Sequence, residues 1–235
     1  MDIAKAFTFV FDDKDWIVKI LIGAAILAVG ILFSWVLLVP LILAFALLGG
    51  YGVEITRRVI NGASEELPDW DNWGVLIADG IKAILIGIVY ALPIIVISIC
   101  LSIPIGIFAE DAEGLSTMFS LLLSCVSFLY AIAISIVLPA AIAFYVAEDD
   151  LSAAFRFGDV FAFVRNNVST YLITFIMSWV ANFIGSLGSV VCGIGWLFTQ
   201  PYSFMVIGHL YGQAYLEASG QASVAAPADV EEEAA

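Results

Sequence analysis

Chemistry inside the apolar part of this chain depends on very few side chains. His209 is the only histidine. An ionisable group at membrane depth marks a functional site by default, although a neutral histidine hydrogen-bonded to a neighbouring helix is the commoner case. Glu54 is the only carboxylate that we expect within reach of the bilayer along the second helix. Hydrolysis or proton-coupled transport needs several such groups that face each other, so the sequence predicts that the protein is not an enzyme.

Other polar side chains in the last apolar stretches have two interpretations. Asn182, Thr199 and Gln200 lie in the stretches that lead to His209. They can line a polar cavity, or they can join neighbouring helices through hydrogen bonds. We favour the second interpretation, because polar residues between membrane helices commonly have this role.

The three cysteines do not indicate a metal site. Cys100, Cys125 and Cys192 stand alone, without companion histidines, and a zinc site needs four such ligands at close spacing. Cys100 and Cys125 can face each other across a helical hairpin, or they can be small packing residues, which we favour. We predict no metal and no cofactor.

The most distinctive polar segment is residues 67–73, with the sequence Leu-Pro-Asp-Trp-Asp-Asn-Trp. It can be a docking loop for a partner. Alternatively, Trp70 and Trp73 are anchors at the membrane interface, and Asp71 or Asn72 caps the helix that follows. We favour the second interpretation.

The composition indicates the elements that must position these side chains. The chain has 235 residues, of which 63% are hydrophobic and 13% charged, whereas a soluble domain has roughly 45–50% and about 25%. Charge-free runs longer than about 18 residues predict membrane spans. We therefore predict an all-α fold, an integral membrane bundle of six transmembrane helices arranged as three hairpins within residues 1–217. The spans are expected at about 16–33, 36–58, 80–108, 115–146, 168–191 and 194–216.

Two shorter segments, about residues 2–13 and 152–166, are predicted to be amphipathic helices at the cytoplasmic interface. As helices they are at most about 23 Å long, too short for roughly 30 Å of hydrocarbon. Asp13 and Asn167 follow them and suit the start of a new helix. We therefore expect the chain to turn by more than about 45° at each junction. Residues 218–235 have no apolar face and are expected to form a disordered acidic tail.

The basic residues predict the orientation. Six spans leave both termini, the loop after the second span and the loop after the fourth on one side, and all eight cationic residues lie there. These are Lys5, Lys14, Lys19, Arg57, Arg58, Lys82, Arg156 and Arg165. This distribution predicts a multi-pass protein of the plasma membrane whose N-terminus and C-terminus are cytoplasmic.

The formal net charge of −14 excludes nucleic acid as a partner, because binding to phosphates needs clustered Lys and Arg. An acidic surface with few lysines is typical of proteins that stay soluble in high salt. A halophilic source, archaeal in particular, is a hypothesis that follows from this charge.

Several short motifs carry a family resemblance across most of residues 1–217. They are Tyr51-Gly52, Arg57-Arg58, the segment 67–74, Ala153-Ala154-Phe155, Asn166-Asn167 and His209-Leu210-Tyr211-Gly212. Together they resemble the domain-of-unknown-function 4013 family of archaeal and bacterial membrane proteins. The resemblance implies a multi-pass membrane protein without established activity. The chain is also distantly similar to the membrane module of some glycerophosphodiester phosphodiesterases, whose catalytic barrel has no counterpart in these 235 residues.

The sequence is compatible with two functions. The favoured one is a non-catalytic membrane module that binds the lipid bilayer and either a membrane protein partner or a second copy of itself. The alternative is a transporter or permease for an uncharged or lipid-like solute, which prolines inside the spans and a faint internal repeat would suit. A close-packed bundle favours the module, and a polar cavity at mid-depth favours transport.

Overall fold

The computed structural model describes residues 1–35, 38–107, 113–190 and 193–221, apart from the side chains of Ile107 and Glu113. Within these residues the chain forms helices and no strand, which confirms the all-α prediction. The α-helices are α1 (Ile3–Asp12), α2 (Trp16–Leu32), α3 (Val39–Ile60), α4 (Trp73–Ile107), α5 (Glu113–Glu148), α6 (Phe157–Asn166), α7 (Val168–Leu187) and α8 (Gly195–Ala218). Short 3-10 segments, Leu151–Phe155 and Gly188–Val190, precede α6 and follow α7. Most of the predicted acidic tail lies outside the described residues, as does Cys192.

Several helices are long and apolar enough to cross a membrane. In the described part of the chain they are α3, α4, α5 and α7, or five spans if α1 and α2 are counted together as one broken span. These helices make the chain a multi-pass membrane protein. The predicted boundaries differ in two places. The helix expected from residue 80 begins at Trp73, and the helix expected over residues 152–166 is interrupted at Arg156, where ψ is 67°.

The chain bends sharply between α1 and α2. The two helix axes meet at 94°, which confirms the turn predicted at the first junction. Asp13 has extended geometry, and its carboxylate accepts hydrogen bonds from the Asp15 N–H and the Lys19 ammonium. The first bond satisfies a backbone N–H that a continuous helix would satisfy internally. At the second junction α6 ends at Asn166 and α7 begins at Val168, and the turn there stays a prediction.

Helix α3 approaches α4 so closely that their backbones touch. A Cβ atom on Gly80 of α4 would overlap the carbonyl oxygen of Ala46, and a Cβ atom on Gly50 of α3 would overlap the carbonyl oxygen of Leu76. Only glycine leaves room for this approach. Small residues at helix crossings are the usual basis of packing between membrane helices.

The opposite side of α3 packs against α8 in the same way. A Cβ atom on Gly208 would overlap the backbone of Gly52, and one on Gly212 would lie 2.7 Å from the Cβ atom of Val59. The hydroxyl of Thr56 donates a hydrogen bond to the Gly208 carbonyl at 2.8 Å. Gly208 and Gly212 thus form a small-xxx-small pair, and α3 is held between α4 and α8.

Helix α8 lies at the centre of the bundle and packs against α1, α2, α3, α5 and α7. A Cβ atom on Gly23 of α2 would lie 2.8 Å from that of Pro201, and one on Gly185 of α7 would lie 2.9 Å from that of Ser203. His209 and Ser203 are consequently buried. Many residues of α8 are buried, so this helix contacts less of the surroundings than α4 and α5 do.

The second half of α4 and the first half of α5 have little protein around them. Large apolar side chains such as Ile99, Leu121 and Phe128 are exposed there. Cys100 and Cys125 are free and exposed on the same surface. Since both are exposed, the structure gives neither of them the favoured role of a small packing residue. In a bilayer, an apolar surface on a helix that satisfies its own backbone is covered by lipid.

The contact between α3 and α4 predicts a large effect of a single methyl group. Gly80→Ala should lower the free energy of unfolding by about 1–3 kcal/mol, because the helices must separate to admit the methyl group. Gly87→Ala is the matched control, since a Cβ atom there meets nothing within 4 Å and alanine favours a helix. Thermal unfolding of both variants in detergent measures the difference. Equal melting temperatures would contradict the close contact.

Candidate functional site

The loop between α3 and α4, residues 61–72, folds back onto one end of the bundle. The Tyr51 hydroxyl donates a hydrogen bond to the Pro68 carbonyl at 2.6 Å. The Trp70 ring stacks on the Tyr51 ring with 4.1 Å between centroids, and its indole N–H donates to the Lys19 carbonyl at 3.1 Å. The loop therefore has a fixed conformation that is set by α2 and α3.

The two tryptophans of the loop have different surroundings. Trp70 is only 8% exposed, so the interpretation of Trp70 as an anchor at the membrane interface is wrong, and it anchors the loop to the bundle instead. Trp73 is 43% exposed and donates its indole N–H to the Trp70 carbonyl. Trp73 therefore presents an aromatic face outward at the start of α4.

A buried lysine fastens the loop to α2. The Lys19 ammonium lies 2.7 Å from Asp13 and 3.0 Å from Asp69, and it donates a third hydrogen bond to the Leu67 carbonyl at 3.1 Å. All three N–H donors of the ammonium group are therefore used. Asp69 is nevertheless exposed on its outer side, so the loop keeps a negative surface.

His209 joins α8 to the same loop. Its Nε2 atom lies 2.9 Å from a carboxylate oxygen of Glu66, whose other oxygen accepts from Lys5 at 2.6 Å. The Phe9 ring packs on the imidazole at 4.4 Å between centroids, and His209 is 1% exposed. The partner of this histidine is therefore a loop carboxylate and not a neighbouring helix.

The pKa of Glu66 is lowered by these contacts. Burial by itself raises the pKa of this carboxyl group. The hydrogen bonds and charges of His209 and Lys5 lower the pKa by a larger amount, so it lies below its usual value. Glu66 thus stabilises the loop in its ionised form.

A second ion-pair network joins α3, α4 and α5. Arg57 lies 2.6 Å from Glu54 and 2.9 Å from Asp79, and Asp79 also accepts hydrogen bonds from Lys82 and from the Tyr145 hydroxyl. Asp79 is 3% exposed. Asp79 on α4 is thus a second carboxylate near the apolar core, besides Glu54 on α3. In the sequence, this network was indicated only by the spacing of Asp79 and Lys82, which places them on one face of a helix.

The remaining predicted polar residues are not brought together with His209. Asn182 is exposed and donates a hydrogen bond to the Ser178 carbonyl of its own helix. Gln200 is half-buried, with its amide oxygen beside Gly185. Thr199 joins α8 to α7, because its hydroxyl donates to the Gly185 carbonyl at 2.6 Å. Hydrogen bonding between helices is thus the role of Thr199, whereas Asn182 has neither of the predicted roles in the described structure.

A cavity of about 210 Å³ lies beside the loop. Its charged lining consists of Glu54, Arg58, Asp69 and Asp71, and Glu54 is already paired with Arg58 at 3.3 Å. In the part of the chain that the structure describes, no group of three or more His, Cys, Asp or Glu side chains is arranged to hold a metal ion. The site offers ion pairing and hydrogen bonding, which suit positioning and binding.

Comparison with known proteins identifies the family of this chain and confirms the resemblance found in the sequence. The family model described as "Protein of unknown function (DUF4013)" matches residues 32–194, which include the loop and α3 to α7 but not His209. No curated protein and no solved structure matches the chain. The similarity to the membrane module of glycerophosphodiester phosphodiesterases stays a prediction.

The pairing of Glu66 predicts a stability that depends on pH. Glu66→Gln should lower the free energy of unfolding at pH 7 by about 1–3 kcal/mol, because His209 and Lys5 lose a charged partner. Since the folded pKa is lowered, this contribution is complete above the ordinary pKa of 4.5 and is lost as the pH falls through the folded value. Thermal unfolding across this pH range measures it. Glu65→Gln is the control, since its exposed side chain forms no ion pair in the described structure; an equal loss in both variants would contradict the pairing.

Proposed function

Because the chain belongs to the DUF4013 family of proteins of unknown function, we propose from its own geometry that it is a non-catalytic membrane module that binds a protein partner through the α3–α4 loop. The observation that carries this proposal is the rigid loop surface. Trp70 and Lys19 fix the backbone from below, while Asp69, Asp71 and Trp73 remain exposed. An exposed aromatic side chain beside fixed charges is typical of a binding surface.

We assign six spans, formed by α2, α3, α4, α5, α7 and α8 in three hairpins. Helix α2 has 17 residues, about 26 Å as helix, which is close to the hydrocarbon thickness of roughly 30 Å. Helix α8 has 24 residues. Its central position supports the assignment, because a span that is surrounded by other helices can carry polar groups that face the protein.

The orientation is supported by contacts that gather several chain segments at one end of the bundle. Lys5 of α1 pairs with Glu66 of the loop, Arg57 lies 4.0 Å from Asp149 after α5, and the Met1 amino group pairs with Glu217 at the end of α8. An even number of spans would bring these segments to one side. The cationic residues then make that side cytoplasmic, and the membrane is the plasma membrane.

The absence of catalysis is part of the same proposal. The ionised groups beneath the loop are paired with one another, as Lys19 is with Asp13 and Arg57 with Asp79. A general acid or base must keep a proton site available to a substrate, whereas these groups are used for structure. Close backbone packing of α3 against α4 and α8 also supports a module that is static.

Transport of an uncharged solute is the second candidate, and one observation favours it. Five buried polar atoms on α7 and α8 make no hydrogen bond within the described structure, and such groups are costly unless a partner is supplied. They are Tyr171 Oη, Ser178 Oγ, Ser203 Oγ, His209 Nδ1 and Gln213 Oε1. If they line a path, Ser203→Ala should change the flux of an uncharged solute into proteoliposomes. In the favoured function the protein adds no flux.

The six-span topology is tested by reporter fusions. Reporters after Gly62, after Asp150 and at the C-terminus should all report the cytoplasm, and a reporter after Trp35 should report the outside. An odd number of spans between any two of the first three sites would reverse one signal. An external signal from any of these three sites would contradict the topology.

Partner binding is tested by cross-linking in native membranes. In a chain whose native cysteines are replaced by serine, Asp71→Cys should give one discrete adduct, and its yield should fall when Trp73→Ala is added. Gly158→Cys is the control, because it lies on α6 with open space around it, and it should give no such adduct. An adduct of twice the chain mass identifies a second copy as the partner. Equal labelling at both positions, or no adduct at position 71, would contradict the proposed docking surface.

A further inference from the structure

The cationic side chains of this protein divide into two classes. Of the eight Lys and Arg residues, six form ion pairs within the protein, namely Lys5, Lys19, Arg57, Arg58, Lys82 and Arg156. Lys14 and Arg165 form no ion pair within the described residues, and both are exposed. These two cations are therefore available to an external anion.

The two unpaired cations occupy corresponding positions in the chain. Lys14 lies in the break between α1 and α2, and Arg165 lies in the last turn of α6, just before α7. In both places a short amphipathic helix leads into a long apolar one. In the proposed topology both junctions are at the cytoplasmic surface of the membrane, at the depth of the lipid headgroups.

Exposed apolar side chains surround each cation. On α6, Phe157, Phe161 and Arg165 follow at intervals of four residues, so they share one face of the helix. This face points away from the protein, because Phe157 and Phe161 are 44% and 53% exposed, while Val160 and Val164 are buried on the other side. An aromatic stripe that ends in a cation is suited to the boundary between acyl chains and headgroups.

The junction at Lys14 also carries exposed apolar side chains, next to Asp12, Asp13 and Asp15, of which Asp13 pairs with Lys19. Phe11, Ile17 and Val18 are each about half exposed, and the aromatic ring of Phe11 packs edge-on against that of Trp16 at 5.0 Å between centroids. The long stem of a lysine can lie along such an apolar surface while its ammonium group reaches the headgroups. Both junctions thus combine an apolar surface with a cation that forms no ion pair within the described residues.

We propose that Lys14 and Arg165 each bind the phosphate of an anionic phospholipid in the cytoplasmic leaflet. The proposal rests on the proposed topology and adds the chemistry of the ligand. A lipid with a net negative charge is favoured over a zwitterionic one because neither cation is neutralised by an ion pair within the described residues, and each such cation attracts an anionic membrane surface. Phe157 and Phe161 enter the acyl region beside one phosphate, and Phe11 and Ile17 do so beside the other.

The test compares lipid retention by native mass spectrometry of the full chain. The protein is released from micelles that contain equal amounts of phosphatidylglycerol and phosphatidylcholine. The wild-type chain should retain phosphatidylglycerol preferentially, and Lys14→Gln and Arg165→Gln should each lower that preference about fivefold, the expected factor for one cation near an anionic surface. The double variant should retain the two lipids equally.

Arg156→Gln is the matched control. Arg156 is also exposed and lies one residue before α6, but its charge is neutralised by Glu148 and Asp159. This variant should keep the wild-type preference. A loss equal to that of Arg165→Gln would overturn the proposal, because it would show a general effect of charge. Lys14→Arg should keep the preference, which separates charge from the loss of a lysine.

Two further outcomes separate the lipid proposal from its premises. Inorganic phosphate added in excess should leave phosphatidylglycerol bound, since the acyl chains contribute to binding; displacement by phosphate would overturn the assignment to lipid. If the reporter fusions give the expected topology while the double variant keeps its preference, the lipid sites are wrong and the topology stands. If a reporter after Asp150 is external, the topology itself fails.

Discussion

The contact that the rest of the structure depends on is the close approach of α3 to its two neighbours. Gly50 and Gly80 let the backbones of α3 and α4 touch, and Gly208 does the same for α8. Because helices without side chains between them approach most closely, the polar residues one or two turns farther along α3 come within reach of both partners. The pairing of Arg57 with Asp79 and the bond from Thr56 to Gly208 follow from this geometry.

Charged groups can be buried near the apolar core only because the helix packing brings groups of opposite charge into contact. A buried carboxylate without a partner is costly, and Asp79 has three partners, Arg57, Lys82 and Tyr145. The same reasoning applies to Lys19, which holds the α3–α4 loop. Helix packing thus positions these networks, and the networks hold the loop against the end of the bundle.

Local features of this fold could be predicted from the sequence, and distant partnerships could not. The helices, the all-α class and the bend after Asp12 follow from apolar runs and capping residues, which act over a few positions. The pairing of His209 with Glu66 joins residues that are 143 positions apart, and nothing in their spacing indicates it. The contacts of Trp70 could not be predicted for the same reason. The local sequence around a tryptophan is the same whether its ring contacts lipid, as we expected, or packs on Tyr51.

The two amphipathic helices show why periodicity alone cannot assign a membrane surface. The apolar face of α1 buries Phe9 and Val10 against the bundle, so its amphipathic pattern is explained by protein contacts. Helix α6 buries one face and exposes Phe161 on the other, which protein contacts do not explain. An apolar pattern records only that a face avoids water. Whether such a face contacts protein or lipid is decided by its burial, which differs between α1 and α6 although their sequence patterns are alike.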